Sequence, residues 1–116
     1  MVYGSVTPRI VTADVEGLID FLRAVFDADA EIVEGRPVDV RIGDSVILVS
    51  GTEERDAFPA FLYVYVDDAD ATYERAIAAG ATTIEAPLDT PYGDRRAMVQ
   101  DAWANILQIA HRLPGR

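Results

Sequence analysis

The sequence predicts an α+β fold in which two βαβββ repeats form a curved eight-stranded mixed sheet around a cleft, with both helices outside. Two observations predict it: the same strand-then-helix pattern opens each half of the chain, and three short strand-like runs follow each helix. A ferredoxin-like repeat carries fewer strands, so the strand count decides between the two architectures. Aligning Asp14 with Asp68 sets the two helix starts opposite each other and Thr7 opposite Phe61, while matching SVILV with NILQI sets Leu48 opposite Gln108.

Each element follows from its local pattern. From Val6 to Thr12 the chain alternates around β-branched residues, and Asp14 then caps a segment whose apolar residues are Leu18, Phe21, Leu22, Val25 and Phe26. Those fall at i, i+3, i+4, i+7 and i+8, the stripe of a helix packed on one face. Ala30 to Val33, Val38 to Ile42 and Ser45 to Ser50 predict three strands, punctuated by Gly35-Arg36-Pro37 and Gly43-Asp44. The polar stretch GTEERDAFP, residues 51–59, predicts the linker between the halves. Phe61 to Val66 then predicts a strand, Asp68 or Asp70 the cap of the second helix, and Gly80 its end. Thr82 to Glu85, Arg95 to Gln100 and Ile106 to Ala110 supply the remaining strands. The expected organisation is a single domain over 1–116, with repeat 1 at about 5–50 and repeat 2 at about 60–111.

Composition bounds the chemistry. With 116 residues, half of them hydrophobic, the chain can bury one real core. A net charge of −10 argues against nucleic acid as a partner, because phosphate binding relies on Lys and Arg; the acidic excess itself reads as a solubility feature. There is no cysteine, so neither a disulfide nor a thiolate nucleophile is available, and His111 is the only histidine. No GxSxG elbow accompanies it. No run approaches the roughly 20 apolar residues of a membrane span, and MVYGSVTPRIV lacks a basic stretch followed by an apolar one. A cytoplasmic protein without a membrane partner is the expectation.

Strand alternation sorts the candidate site residues. If Leu62, Val64 and Val66 pack under the helices, then Phe61, Tyr63 and Tyr65 face the cleft. The same parity points Thr7 and Arg9 inward from the first strand, Leu48 from the fourth and Gln108 from the last. Such an aromatic wall suits stacking on a planar or cationic ligand, with Thr7, Arg9 and Gln108 fixing orientation; it equally suits a core or dimer interface. One of Arg95 and Arg96 reaches the cleft by parity, and Arg96 is the candidate. Trp103 falls in the turn before the last strand, where it either covers a ligand or buries itself against a partner subunit. His111 has the opposite parity to Gln108 and is expected at the surface.

Three segments, PRIVTADVEGLIDFLRAVF, VDDADATYERAIAAGAT and PYGDRRAMVQDAWANILQIAH, resemble the vicinal oxygen chelate superfamily, which includes glyoxalase I, extradiol dioxygenases and the bleomycin-resistance proteins. The last segment carries the most specific match, and it departs at Ala102 and Ala104, where members commonly have Pro and Gly; a differently shaped turn is the expectation. Metal-dependent members take ligands from the first and last strands of each repeat. By the resemblance those positions fall here on Thr7, Leu48, Phe61 and Gln108, none of which suits zinc, nickel or iron. The resemblance therefore implies no catalytic metal, no cofactor, and a homodimer that binds a small molecule. The leading expectation is a metal-free binding protein of the bleomycin-resistance type that sequesters a hydrophobic or cationic compound such as an antibiotic. The alternative is a metal-independent lyase or isomerase acting on a small metabolite. A third reading is an accessory subunit that uses the fold only to dimerise.

Overall fold

A computed structural model describes residues 4–115. The chain divides into two compact units, Met1–Ala60 and Phe61–Arg116. Each holds one helix and one four-stranded mixed sheet, so the eight strands lie four in each unit.

In the first unit the order along the chain is β1 (Arg9–Val11), α1 (Val15–Phe26), β2 (Asp29–Ala30), β3 (Val38–Ile42) and β4 (Ser45–Ser50). The sheet order is β1-β4-β3-β2, with β1 parallel to β4 and the other pairs antiparallel. Helix α1 starts where Asp14 accepts a hydrogen bond from the Gly17 N–H at 3.0 Å, and it ends at Asp27, whose φ of 55° is left-handed. Its stripe, Leu18, Ile19, Phe21, Leu22, Val25 and Phe26, is buried. At roughly 1.5–3 kcal/mol for each fully buried Leu, Ile or Val, that stripe outweighs anything the caps contribute.

The second unit runs β5 (Phe61–Tyr65), α2 (Ala69–Ala78), β6 (Thr82–Asp89), β7 (Asp94–Gln100) and β8 (Ile106–Arg112). Its sheet order is β5-β8-β7-β6, again with the first strand parallel to the last. Asp68, rather than Asp70, caps α2 by accepting from the Ala71 N–H at 3.1 Å. The buried face of α2 is Ala69, Thr72 and Ala76, small side chains that let the helix approach β6, β7 and β8 closely. Val99, Leu107 and Ile109 are buried in the same unit.

The pairing register reproduces the repeat read from the sequence. Arg9 lies opposite Leu48 in one unit, and Tyr63 opposite Gln108 in the other. Three elements differ most in extent. β1 is shorter than Val6 to Thr12, because Pro8 has no N–H to donate and contributes only its carbonyl, which accepts from Leu48 at 2.9 Å. β2 stops at Ala30, and exposed residues follow it. β6 continues to Asp89 through Pro87, which an edge strand with register shifts tolerates. Leu62 and Val64 are only half-buried, since β5 stands at the end of its sheet with a neighbour on one side.

His111 is a clear correction. It is half-buried rather than at the surface, and its Nδ1 accepts a hydrogen bond from the Ala69 N–H at 2.8 Å. Helix α2 thus begins on two caps, one from its own preceding aspartate and one from the last strand. Among the described residues no helix is long and apolar enough to cross a membrane.

Candidate functional site

Strand β5 places its alternate residues Phe61, Tyr63 and Tyr65 on one face of the second sheet, and the ladders extend that face. Tyr65 pairs with Ala110 and Ala110 with Arg96; Tyr63 pairs with Gln108, Gln108 with Met98 and Met98 with Glu85. Arg95 takes the other face, where it bonds to Asp70 of α2 at 3.1 Å and to Asp89 at 3.2 Å. Arg96 is therefore the arginine that joins the tyrosines, through the Tyr92 hydroxyl.

Asp94 organises this face. Its side chain is fully buried, and its Oδ2 accepts hydrogen bonds from the hydroxyls of Tyr63 at 2.6 Å and Tyr65 at 2.8 Å. A phenol has one hydrogen to give, so the contact of 3.4 Å between the Tyr63 and Tyr92 hydroxyls has Tyr92 as donor. Arg96 in turn donates to the Tyr92 hydroxyl at 2.9 Å and pairs with Glu85. The result is a directed chain, guanidinium to Tyr92 to Tyr63 to carboxylate, with Tyr65 as a branch. A donor-only group stands at one end and an acceptor-only group at the other.

The electrostatics follow from this geometry. The hydrogen bond from Tyr63 holds the Asp94 carboxyl below its usual range, and burial opposes it only in part. Burial and the bond to Asp94 push the Tyr63 hydroxyl well above the usual phenol value, and the bond to Asp94 raises Tyr65. Tyr63 and Tyr65 therefore stay protonated at neutral pH with their hydrogens on Asp94, while hydrogen bonding with Tyr63 and Arg96 draws the Tyr92 hydroxyl below the usual phenol value. Tyr63 and Tyr65 have ring centroids 5.3 Å apart with a tilt of 54°, and the Arg112 guanidinium lies 5.1 Å over the Tyr65 ring. The sequence pattern PYGDRR pointed to this segment, yet the burial of Asp94 had no local signal, since an aspartate beside two arginines reads as solvated.

The remaining predicted residues are placed as follows. Phe61 is 66% exposed at the start of β5, and Gln108 is half-buried beside Tyr63. Trp103 is half-buried in the turn before β8, where its N–H donates to Asp101 Oδ1 at 2.9 Å. Asn105 is fully buried, with its side-chain amide donating to Asp101 Oδ2 at 2.9 Å. In the first unit Thr7 and Leu48 are half-buried, and Arg9 donates from Nε and Nη2 to Ser50 Oγ at 3.3 and 3.2 Å. Arg9 and Ser50 line a recess of about 640 Å³ with Ile32, Val33, Arg36 and Arg55. On β3, Asp39 forms an ion pair with Arg36 and Arg41 one with Asp29.

A divalent metal does not fit the positions that the resemblance implies. Leu48 and Phe61 have no donor atom, and Thr7 and Gln108 offer only neutral oxygens. Among the described residues no three side chains of His, Cys, Asp or Glu converge.

Comparison with known proteins agrees with this architecture. A family model described as Glyoxalase/Bleomycin resistance protein/Dioxygenase superfamily matches residues 4–109. An uncharacterized protein of Mycobacterium bovis is 27% identical over 119 residues, covering 87% of this chain and 78% of that protein. TioX from Micromonospora sp. ML1 superposes with a TM-score of 0.79 at 24% identity, over 95% of this chain and 100% of that one. A glyoxalase/bleomycin resistance protein/dioxygenase family enzyme from Burkholderia phytofirmans PsJN gives 0.76 at 26% identity, over 90% and 95%. The fosfomycin resistance protein FosX from Mesorhizobium loti gives 0.70 at 21% identity, over 98% and 96%.

Proposed function

Because the chain belongs to the Glyoxalase/Bleomycin resistance protein/Dioxygenase superfamily, we propose that it is a metal-free member that binds a small, planar, hydrophobic molecule on the tyrosine face of its second unit. The observation that carries this reading is the pairing of two facts. Positions suited to metal ligands hold side chains that do not bind metal, and the sheet face that carries Phe61 and Gln108 also carries Tyr63 and Tyr65, both locked onto Asp94 and joined by Tyr92 from the turn before β7. A locked array is preorganised, so little side-chain entropy is lost when a ligand stacks on it. FosX, described as a fosfomycin resistance protein, supports an antibiotic as one ligand class to test. The working form is a homodimer, to be checked by sedimentation.

Sequestration and catalysis differ in the fate of the ligand. A thermal-shift series with planar aromatics, cationic glycopeptides, small keto acids and divalent metals tests the reading. Ligand at about 100 times its dissociation constant stabilises by roughly 2.7 kcal/mol, and the bound compound is then recovered unchanged. Stabilisation by nickel, zinc or iron, or recovery of a converted compound, would overturn it.

A further inference from the structure

The hydrogens of Tyr63, Tyr65 and Tyr92 are all committed along the chain that ends at Asp94, so the hydroxyls offer a ligand only their lone pairs. A phenol that donates to a carboxylate also gains electron density in its ring, which strengthens attraction for a cation over the ring face. Asp94 has a second buried oxygen, Oδ1, without a hydrogen-bond partner among the described residues. Two cations lie on this face, and they differ. Arg96 is neutralised by Glu85 and built into the chain, whereas Arg112, exposed at the end of β8, makes no ion pair among the described residues and rests over the Tyr65 ring.

We infer that Arg112 is an internal placeholder for the ligand's own cationic group, so that the tyrosine face selects planar compounds bearing an amidinium, guanidinium or ammonium, which displace the Arg112 guanidinium from the Tyr65 ring. This inference rests on the proposed binding function of that face and adds the charge of the ligand. Removing Arg112 leaves Asp94 as the uncompensated charge and frees one ring face. The loss of an arginine on an exposed strand end leaves the folded core untouched.

The test uses two planar probes of nearly the same shape and opposite charge, benzamidinium and benzoate. They are titrated into the wild type and Arg112→Ala while the tyrosine ring signals are followed by NMR. The wild type is expected to prefer benzamidinium, and Arg112→Ala to bind it about threefold more tightly, with no gain for benzoate. If the wild type prefers benzoate and Arg112→Ala loses it, Arg112 is an anion receptor and the inference is overturned. Equal benzamidinium affinity in the two proteins overturns the placeholder role while leaving small-molecule binding intact. If neither probe perturbs the tyrosines in either protein, the proposed binding face falls, and this inference falls with it.

Discussion

Ala104 has a φ of 68°, in the left-handed region that an L-residue with a Cβ occupies at a cost of about 1–2 kcal/mol. The turn has no freedom to relax, because Asp101 holds it on both sides. Its Oδ1 accepts from the N–H groups of Trp103 and Asn105, each at 2.9 Å, its Oδ2 accepts from Asn105 Nδ2 at 2.9 Å, and its own N–H donates to the Asn105 carbonyl at 3.0 Å. Replacing Ala104 with Gly removes the strain and gives up only an exposed methyl group. Against this stands the extra freedom of glycine in the unfolded chain, about 0.4–1 kcal/mol. The difference is a net stabilisation of about 0.5–1 kcal/mol, or a rise in Tm of about 2–4 °C for a chain of this size. Urea and thermal unfolding of wild type and Ala104→Gly measure it directly. An unchanged or lower Tm would refute the reasoning, because it would mean that Ala104 sits in the turn without strain.

Other expectations follow from the same hydrogen bonds. His111→Ala removes the acceptor for the buried Ala69 N–H; the cost is about 1–2 kcal/mol, read as a lower Tm together with faster amide exchange at the start of α2. The Asp94 carboxyl titrates below its usual value near 3.8 when folded, so the unfolded chain binds the proton first as pH falls. The stability this group supplies is present above about pH 4 and disappears as pH drops through its lower folded value, and Tyr63→Phe with Tyr65→Phe should flatten that acid limb in a Tm-against-pH series. An acid limb as steep as that of the wild type would contradict the account of Asp94. Arg112→Ala should tighten benzamidinium binding about threefold without lowering Tm.

The periodic features were the most legible. The apolar stripe of α1, the aspartate caps and the existence of most strands follow from spacings of two and 3.6 residues, which act over a few neighbours in the chain; the parallel first-to-last pairs are seen only in the structure. Aligning the repeat with itself set Thr7 against Phe61 and Leu48 against Gln108, and the observed pairing of Arg9 with Leu48 and of Tyr63 with Gln108 is consistent with that correspondence. What escaped the sequence depends on distant partners. Asp94 is buried because two tyrosines 31 and 29 residues earlier supply its hydrogen bonds, and His111 turns inward because α2 offers an amide 42 residues away. Neither partner leaves a mark on the neighbours of the residue concerned. The extent of β6 was missed for the opposite reason: Pro87 is a local signal to stop, and the sheet edge overrides it.

Calorimetric titration of the planar aromatic that gives the largest thermal shift, into wild type and Tyr63→Ala with and without EDTA, tests metal-free binding by the tyrosine face most directly. The account predicts the same affinity with and without EDTA, and a loss of about 1–3 kcal/mol in a Tyr63→Ala protein that remains folded. Binding abolished by EDTA, or an unchanged affinity in Tyr63→Ala, would contradict it.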